Sequence, residues 1–370
     1  MDIAKQTLKD WAAVVVLTFL YATATLTLEE RKDKRPPPFL VWGAAGLGKS
    51  SAVRQIVKKL SELTEQPWGL IDVRLVQFDA VDLRGCPIIL NSKTIWATSA
   101  WLPDEKRDGK YGVLFLDELF LSQPSVQAAA LQLALDRRIG DYELPDGWYV
   151  CAASNRPSDK AGIGFINAAL CDRWEHREII VSTDAWVEYA IDKGLREEVI
   201  AFIRFRGENN PKENKEGLLL QYPNGVPKGQ VAFSTPRSWE WVSNKLDQNL
   251  PHDFEAVSIE GLVGKGPAAE FVGFLNIWRK VGDFDLDSII NDPENADLPT
   301  EPETVYAFAG LLGRKATKEN LGAFITFLNR ASPEYAIKAV RDAVQRNDDL
   351  KCSKAYLDFK VKFIDINIAA

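Results

Sequence analysis

The chain has 370 residues, 46% hydrophobic and 26% charged, with a formal net charge of −7. That is enough chain for a large core and two domains, with a globular composition, and the acidic balance argues against broad, unspecific affinity for nucleic acid while leaving room for a local basic patch. Cys86, Cys151, Cys171 and Cys352 form no close pair and only His176 and His252 could join them, so no zinc site is expected and the pattern suits a reducing cytoplasm.

In chain order, Trp11 to Leu28 carries no charge and is marginal in length for a membrane span. Thr18, Thr23, Thr25, Thr27 and Tyr21 interrupt it, and Asp2 and Asp10 offset Lys5 and Lys9, which removes a strong signal-peptide start. A buried helix running into a short extended segment is expected, beside a nucleotide base or as a layer over the sheet; a membrane anchor is the lesser alternative. Residues 29–38 are a charged run ending in Pro36-Pro37-Pro38, a surface connection. Strands are expected at 39–42, 73–78, 112–116, 149–154 and 178–181, and helices at about 49–63 and 123–137. Asp104 to Lys110 reads as a polar surface loop.

Alternating strands and helices in this order describe an α/β domain with a mainly parallel sheet. Helical segments follow at about 184–206, and a polar loop spans 207–217. Thr235-Pro236-Arg237 opens a helix through Leu246. Further helical runs are expected at 267–280, 302–311, 317–328, 333–345 and 353–361. The expected division is an α/β nucleotide-binding domain over 1–230 and an α-helical domain over 231–370. Arg138 to Trp148 reads as an inserted hairpin or a plain connecting ribbon, with Asp146-Gly147 as its tight turn.

Gly43-Ala44-Ala45-Gly46-Leu47-Gly48-Lys49-Ser50 follows the apolar run Phe39 to Trp42 and precedes a helical pattern. This is a phosphate-binding loop in the strand-to-helix context that makes the motif credible. Its glycines let backbone N–H groups turn inward around phosphates, and the helix start adds unpaired N–H groups and a favourable dipole. Lys49 is expected to reach the β- and γ-phosphates, Ser50 to hold magnesium, and the adjoining Ser51 to lie in the nucleotide-contacting set. Val113 to Leu116 reads as a buried strand ending in Asp117-Glu118. Two acids at a buried strand end are costly unless a cation or solvent meets them. Asp117 is thus expected to bind magnesium, directly or through water, and Glu118 to orient and deprotonate the attacking water. Asn155 follows the strand at 149–154, either as an amide for the water or γ-phosphate or as a turn cap, since Asn155-Arg156-Pro157 is also good turn chemistry. Arg173, Arg177 and Arg237 are candidates to complete the site, although each alone reads more readily as a surface ion pair.

These passages resemble the AAA+ ATPases, and most closely the MoxR family. The resemblance covers nearly all of residues 36–245 and, more weakly, the helical remainder. It rests on the loop at 43–50, on Leu114-Phe115-Leu116-Asp117-Glu118-Leu119, and on Gln127 to Gly140. It rests also on Ala153-Ser154-Asn155-Arg156-Pro157, on Ala169-Leu170-Cys171-Asp172-Arg173-Trp174, and on Thr235-Pro236-Arg237-Ser238-Trp239-Glu240. The resemblance implies an AAA+ P-loop core with a helical lid, using ATP and Mg2+. It makes Asn155 sensor 1, Arg173 an arginine finger supplied to a neighbouring subunit, and Arg237 sensor 2. A finger in trans implies a ring, most often a homo-hexamer. It implies chaperone-like remodelling, activation or assembly of a protein client, commonly with a von Willebrand factor A domain partner. Nucleic acid is the less favoured partner; a nucleic-acid motor or transposition-type regulator is the alternative. Ala45 stands where many relatives have proline and Phe120 where asparagine is common. Neither removes a phosphate or magnesium ligand; the second is expected to weaken coupling between γ-phosphate sensing and ring movement. The loop Asp79 to Gly85 reads equally as pore-facing or as a plain connection. The segment from about 290 to 370 extends past a minimal lid, as a packing layer or a partner site.

Overall fold

A computed structural model describes residues 5–27, 30, 34–159, 171–207, 217–222, 226, 228–281 and 286–363. The described residues form two compact units, Met1–Ala185 with Tyr222–Gln230, and Trp186–Gln221 with Val231–Ala370.

The first unit is built on a six-stranded parallel sheet. Its strands are β1 (Lys5–Gln6), β2 (Phe39–Trp42), β3 (Trp68–Arg74), β6 (Tyr111–Asp117), β9 (Trp148–Ser154) and β10 (Glu175–Ile179), in the order β1-β10-β2-β9-β6-β3. The four residues of β2 are all buried, as a central strand covered on both faces requires. Side chains alternate between the two faces. Leu40, Trp42, Leu114, Leu116, Val150 and Ala152 join one core with Val126, Ala129, Ala130 and Leu133 of helix α5 (Pro124–Asp136). On the other face lie α1 (Leu8–Thr25) and α2 (Lys49–Thr64). Phe19 of α1 meets Phe39 edge-on and stacks on Tyr149, and Thr23 hydrogen-bonds the Tyr149 hydroxyl. Helix α1 is long and apolar enough to cross a membrane by length and composition. Trp11, Val15, Val16, Phe19 and Ala22 are nevertheless buried, while Leu17 and Tyr21 are exposed.

Two strands depart from expectation. The strand expected at 73–78 runs from Trp68 to Arg74, and Leu75–Gln77 is a single 3-10 turn. Gly69 and Asp72 disguise it in the sequence. Gly69 is required there, because a Cβ would lie 2.7 Å from the Asp108 carbonyl oxygen and 2.9 Å from the Trp148 ring. The last strand, expected at 178–181, is Glu175–Ile179. Its polar start is tolerated because those side chains have partners. Trp42 Nε1 donates to His176 Nδ1 at 2.8 Å, and Arg177 donates to Glu175 and to the His176 carbonyl.

The segment between β3 and β6 carries structure that the sequence reading left out. Asp79 and Asp82 close a capping box on the short helix α3 (Ala80–Arg84), whose Leu83 is buried. An antiparallel ribbon follows, β4 (Cys86–Leu90) and β5 (Lys93–Ala97), turning at Asn91-Ser92 with both φ positive. The expected polar loop contains one exposed helical turn, Glu105–Asp108. The hairpin expected at 138–148 is β7 (Arg138–Ile139) with β8 (Tyr142–Glu143), and it turns at Gly140-Asp141. Asp146-Gly147 instead makes the turn into β9, closed by Trp148 N–H to the Pro145 carbonyl.

The second unit is helical: Glu197–Arg206, Pro236–Leu246, His252–Val263, Lys265–Val281, Leu286–Asn291, Pro302–Lys315, Leu321–Asn329, Pro333–Arg346 and Lys354–Lys362. Its core is rich in aromatic residues, with Phe202 against Trp239, Phe271 and Phe274. Arg346 forks onto Glu197 at 2.5 Å and reaches Asp342 at 3.1 Å. Most of the polar loop expected at 207–217 lies outside the described residues. The fold class is therefore the expected α/β one, a parallel-sheet core with the glycine-rich loop after β2, and an α-helical unit.

Candidate nucleotide site

Four loops leave the carboxyl ends of β2, β6, β9 and β10, where open parallel sheets bind their ligands. The loop after β2 is the 43–50 motif. Gly46 and Gly48 adopt φ of 79° and 88°, which side chains resist, so glycine is needed at both. Gly48 is also the N-cap of α2, which places Lys49 and Ser50 in its first turn with the orphan N–H groups. A Cβ on Gly43 would lie 3.0 Å from Leu47 and 3.4 Å from Ile179, so the loop base is closely packed. Leu8, at the start of α1, is 3.6 Å from where a Gly48 Cβ would be. Helix α1 thus begins beside the phosphate loop.

Lys49, Ser50, Asp117 and Asn155 converge. Lys49 Nζ donates to the carbonyls of Gly43 (2.7 Å) and Ala44 (3.1 Å) and to Asn155 Oδ1 at 3.2 Å. Ser50 Oγ donates to Asp117 Oδ2 at 2.8 Å. The other oxygen of Asp117 accepts the Glu118 backbone N–H at 2.9 Å. Asp117 is buried at 8% exposure, a costly place for a carboxylate without a charged partner. Its charge is felt on β3, where the Asp72 carboxyl is held above its ordinary value, first by burial and then by repulsion from Asp117. Glu118 sits at φ 60°, ψ 35°, in the left-handed region where a non-glycine residue is uncommon. Backbone strain of this kind clusters at functional sites.

The other expected residues differ in exposure. Ala44 and Leu47 are buried, and Ala45, Ser51 and Arg237 are exposed. Arg173 is partly exposed, between Cys171 and β10. Ala169 and Leu170, the start of its expected segment, lie outside the described residues. Arg237 opens the helix Pro236–Leu246 in the second unit, where Thr235 and Ser238 close a capping box. Arg177 is on β10 itself, engaged with Glu175.

Two features near the site were not read from the sequence. Phe120 is fully buried and stacks on Trp42, whose other neighbour is His176. The phenylalanine thus fills the core under the loop, and only its apolar character hinted at that. Arg156 is clamped between Asp159 and Glu178. No local pattern marks that contact, because Glu178 belongs to another strand.

The donor set fits a magnesium-bound nucleotide. A hydroxyl and a carboxylate oxygen meet beside a lysine at a glycine-shaped helix start, and hard cations favour such oxygen donors. No family model matches the sequence, and no curated protein matches it. Among solved structures the chain is similar to a mutant RuvB of Thermotoga maritima, with 15% identity over 82% of this chain and 81% of that one, at a TM-score of 0.39. It is similar to the Aeropyrum pernix Orc1 protein in complex with DNA, at 9% identity over 87% and 83%, TM-score 0.39. It is similar also to C. elegans PCH-2, at 11% identity over 72% and 67%, TM-score 0.33.

Proposed function

We propose that this chain is an AAA+ ATPase of the MoxR kind, which hydrolyses ATP with magnesium and uses the turnover to remodel, activate or assemble a protein client. The observation that carries the reading is the double meeting of Ser50 with Asp117 and of Lys49 with Asn155 at the carboxyl edge of the sheet.

In this reading the backbone N–H groups of residues 43–50 and the start of α2 receive the phosphates. Lys49, which donates to its own loop carbonyls, exchanges them for phosphate oxygens of higher negative charge. Ser50 and Asp117 would hold a magnesium ion, which would supply positive charge to the phosphate oxygens. Glu118, at its left-handed backbone position, takes the proton of the attacking water. The amide of Asn155, held through Oδ1 by Lys49, is free to donate to the water or the γ-phosphate. Arg173 serves a neighbouring subunit's site in a homo-hexameric ring, and Arg237 is the sensor 2 arginine. A protein with a von Willebrand factor A domain is the expected cofactor protein.

The test has two stages. ATP hydrolysis is measured with magnesium and with a chelator; a rate no higher than background with magnesium present overturns the enzyme reading. The Glu118→Gln form is then captured with ATP bound. Recovery of a von Willebrand factor A protein or an enzyme subunit supports the remodelling reading. Recovery of nucleic acid with its processing proteins replaces it with a motor reading.

A further inference from the structure

Asn155 is followed by an arginine whose partners lie on both sides of the phosphate loop. Arg156 Nη2 and Nε donate to Asp159 Oδ1 at 2.7 and 3.0 Å, and Nη1 donates to Glu178 Oε1 at 3.0 Å. The Arg156 backbone N–H also donates to Asp159 Oδ2 at 2.8 Å, and Asp159 N–H returns to the Arg156 carbonyl at 3.0 Å. The turn after β9 is therefore tied to the guanidinium through both side chain and backbone. Asp159 and Glu178 are buried, at 7% and 8% exposure, and Arg156 is mostly so, at 13%.

The register gives this contact its meaning. Trp42, the last residue of β2, is opposite Ser154 of β9 on one side and Glu178 of β10 on the other. The Arg156–Glu178 pair therefore crosses the end of β2, joining two strands that are not neighbours, roughly two strand spacings or ~10 Å apart. Gly43, the first residue of the phosphate loop, leaves β2 at that level and donates its N–H to the Ser154 carbonyl at 3.2 Å. The clasp thus closes over the base of the loop and fixes the turn that carries Asn155, whose Oδ1 receives Lys49.

A buried arginine with two carboxylates is a poor stabilising device. Desolvation consumes most of its Coulombic gain, and well-packed uncharged replacements can match it in stability. Such a fork does fix direction, because its planar donors accept few geometries.

We infer that Arg156 is a positioning residue for ATP hydrolysis: its clasp onto Asp159 and Glu178 holds Asn155 against Lys49 across the base of the phosphate loop. The inference rests on the ATPase reading above. Nucleotide binding draws on the loop N–H groups and Lys49, so losing the clasp lowers kcat more than affinity.

The deciding variant is Arg156→Met with Asp159→Asn and Glu178→Gln, which removes three charges together, keeps side-chain length, and leaves an acceptor for the Arg156 backbone N–H. The expected result is a folded protein with kcat lowered about tenfold, the scale of a small misplacement of a reacting group, and affinity for a fluorescent non-hydrolysable ATP analogue changed less than about twofold. On an Asn155→Ala background the same triple change is expected to cost nothing further, because the clasp acts through Asn155. Arg156→Lys retains the charge without the fork and is read in the same way if the triple variant does not fold. A folded variant with native kcat overturns the inference, as does an undiminished loss on the Asn155→Ala background. A native protein without ATPase activity overturns the reading beneath it as well, and that failure is seen in the unmutated control.

Discussion

Ser50 and Asp117, 67 residues apart in the chain, meet at 2.8 Å, with the serine hydroxyl donating to the carboxylate. The second carboxylate oxygen accepts the Glu118 N–H. One buried acid therefore joins the start of α2 to the backbone of the expected base. Ser50→Ala removes the hydroxyl and leaves the loop N–H groups and Lys49 in place. It is expected to weaken magnesium dependence by about 10–100-fold, the usual scale for a lost metal-site partner, while nucleotide affinity in chelator changes little. A magnesium titration of ATP turnover measures this; a native magnesium midpoint would remove Ser50 from the metal site.

Glu118 combines a strained backbone with a proposed proton-accepting role. Replacing it with Gln preserves the shape and removes the base, so turnover should fall by about 10²–10⁴-fold with ATP binding kept. Replacing it with Gly also relieves the left-handed φ, which costs a side-chain-bearing residue about 1–2 kcal/mol. Glu118→Gly is therefore expected to be inactive yet no less stable than Glu118→Gln, even though glycine generally destabilises through the unfolded chain. Thermal unfolding of the two variants side by side decides it, and a clear loss of stability in the glycine form would show that the backbone there is unstrained.

Much of this site is legible in the sequence because its chemistry is local. The 43–50 motif, its helix and Asp117-Glu118 carry their meaning in consecutive residues, and the structure adds the distances between them. What escaped depends on residues far apart. His176 and Glu178 look wrong for a strand of the sheet until Trp42 and Arg156 supply their partners. Gly69 weakens the signal of β3 because a packing demand from Trp148 overrides strand propensity. The ribbon at Cys86–Ala97 did have a local signal: Asn91-Ser92 between the runs Ile88-Ile89-Leu90 and Lys93-Thr94-Ile95 is a tight-turn pattern. Arg237 was placed at a helix start by Thr235 and Pro236, and the capping box is present.

The Trp148 ring offers a test of packing under β3 and β6. Its indole N–H donates to the Gly109 carbonyl at 3.0 Å, which fixes the ring. A Cβ added to Gly112 would stand 2.6 Å from two ring atoms. That distance cannot be absorbed without moving a fully buried tryptophan. Gly112→Ala is expected to destabilise the first unit by about 1–3 kcal/mol through overpacking, despite alanine's usual advantage over glycine. Denaturant unfolding measures the loss. A Gly112→Ala, Trp148→Phe double variant should recover part of it, and no recovery would place the strain elsewhere.

The cysteines give a pH-dependent readout of the same sheet. Cys151 is fully buried in β9, opposite Phe39 and Phe115, and burial pushes its thiol well above the ordinary value of 9.0. Cys171 is raised in the same direction, also by burial, whereas Cys86 and Cys352 are exposed. Below the ordinary thiol value neither the folded nor the unfolded chain loses the Cys151 proton, and its contribution to stability is fully present. Above that value the unfolded chain ionises while the folded chain does not, so stability is lost at up to about 1.4 kcal/mol per pH unit until the raised folded value is reached. Cys151→Ala should therefore lose less stability than the native chain between pH 8 and about 10, the window in which an unfolded thiol titrates. Maleimide labelling of the native protein should mark Cys86 and Cys352 first and leave Cys151 unmodified until unfolding. Equal alkaline slopes for native and variant, or early labelling of Cys151, would mean that β9 opens to solvent in the folded protein.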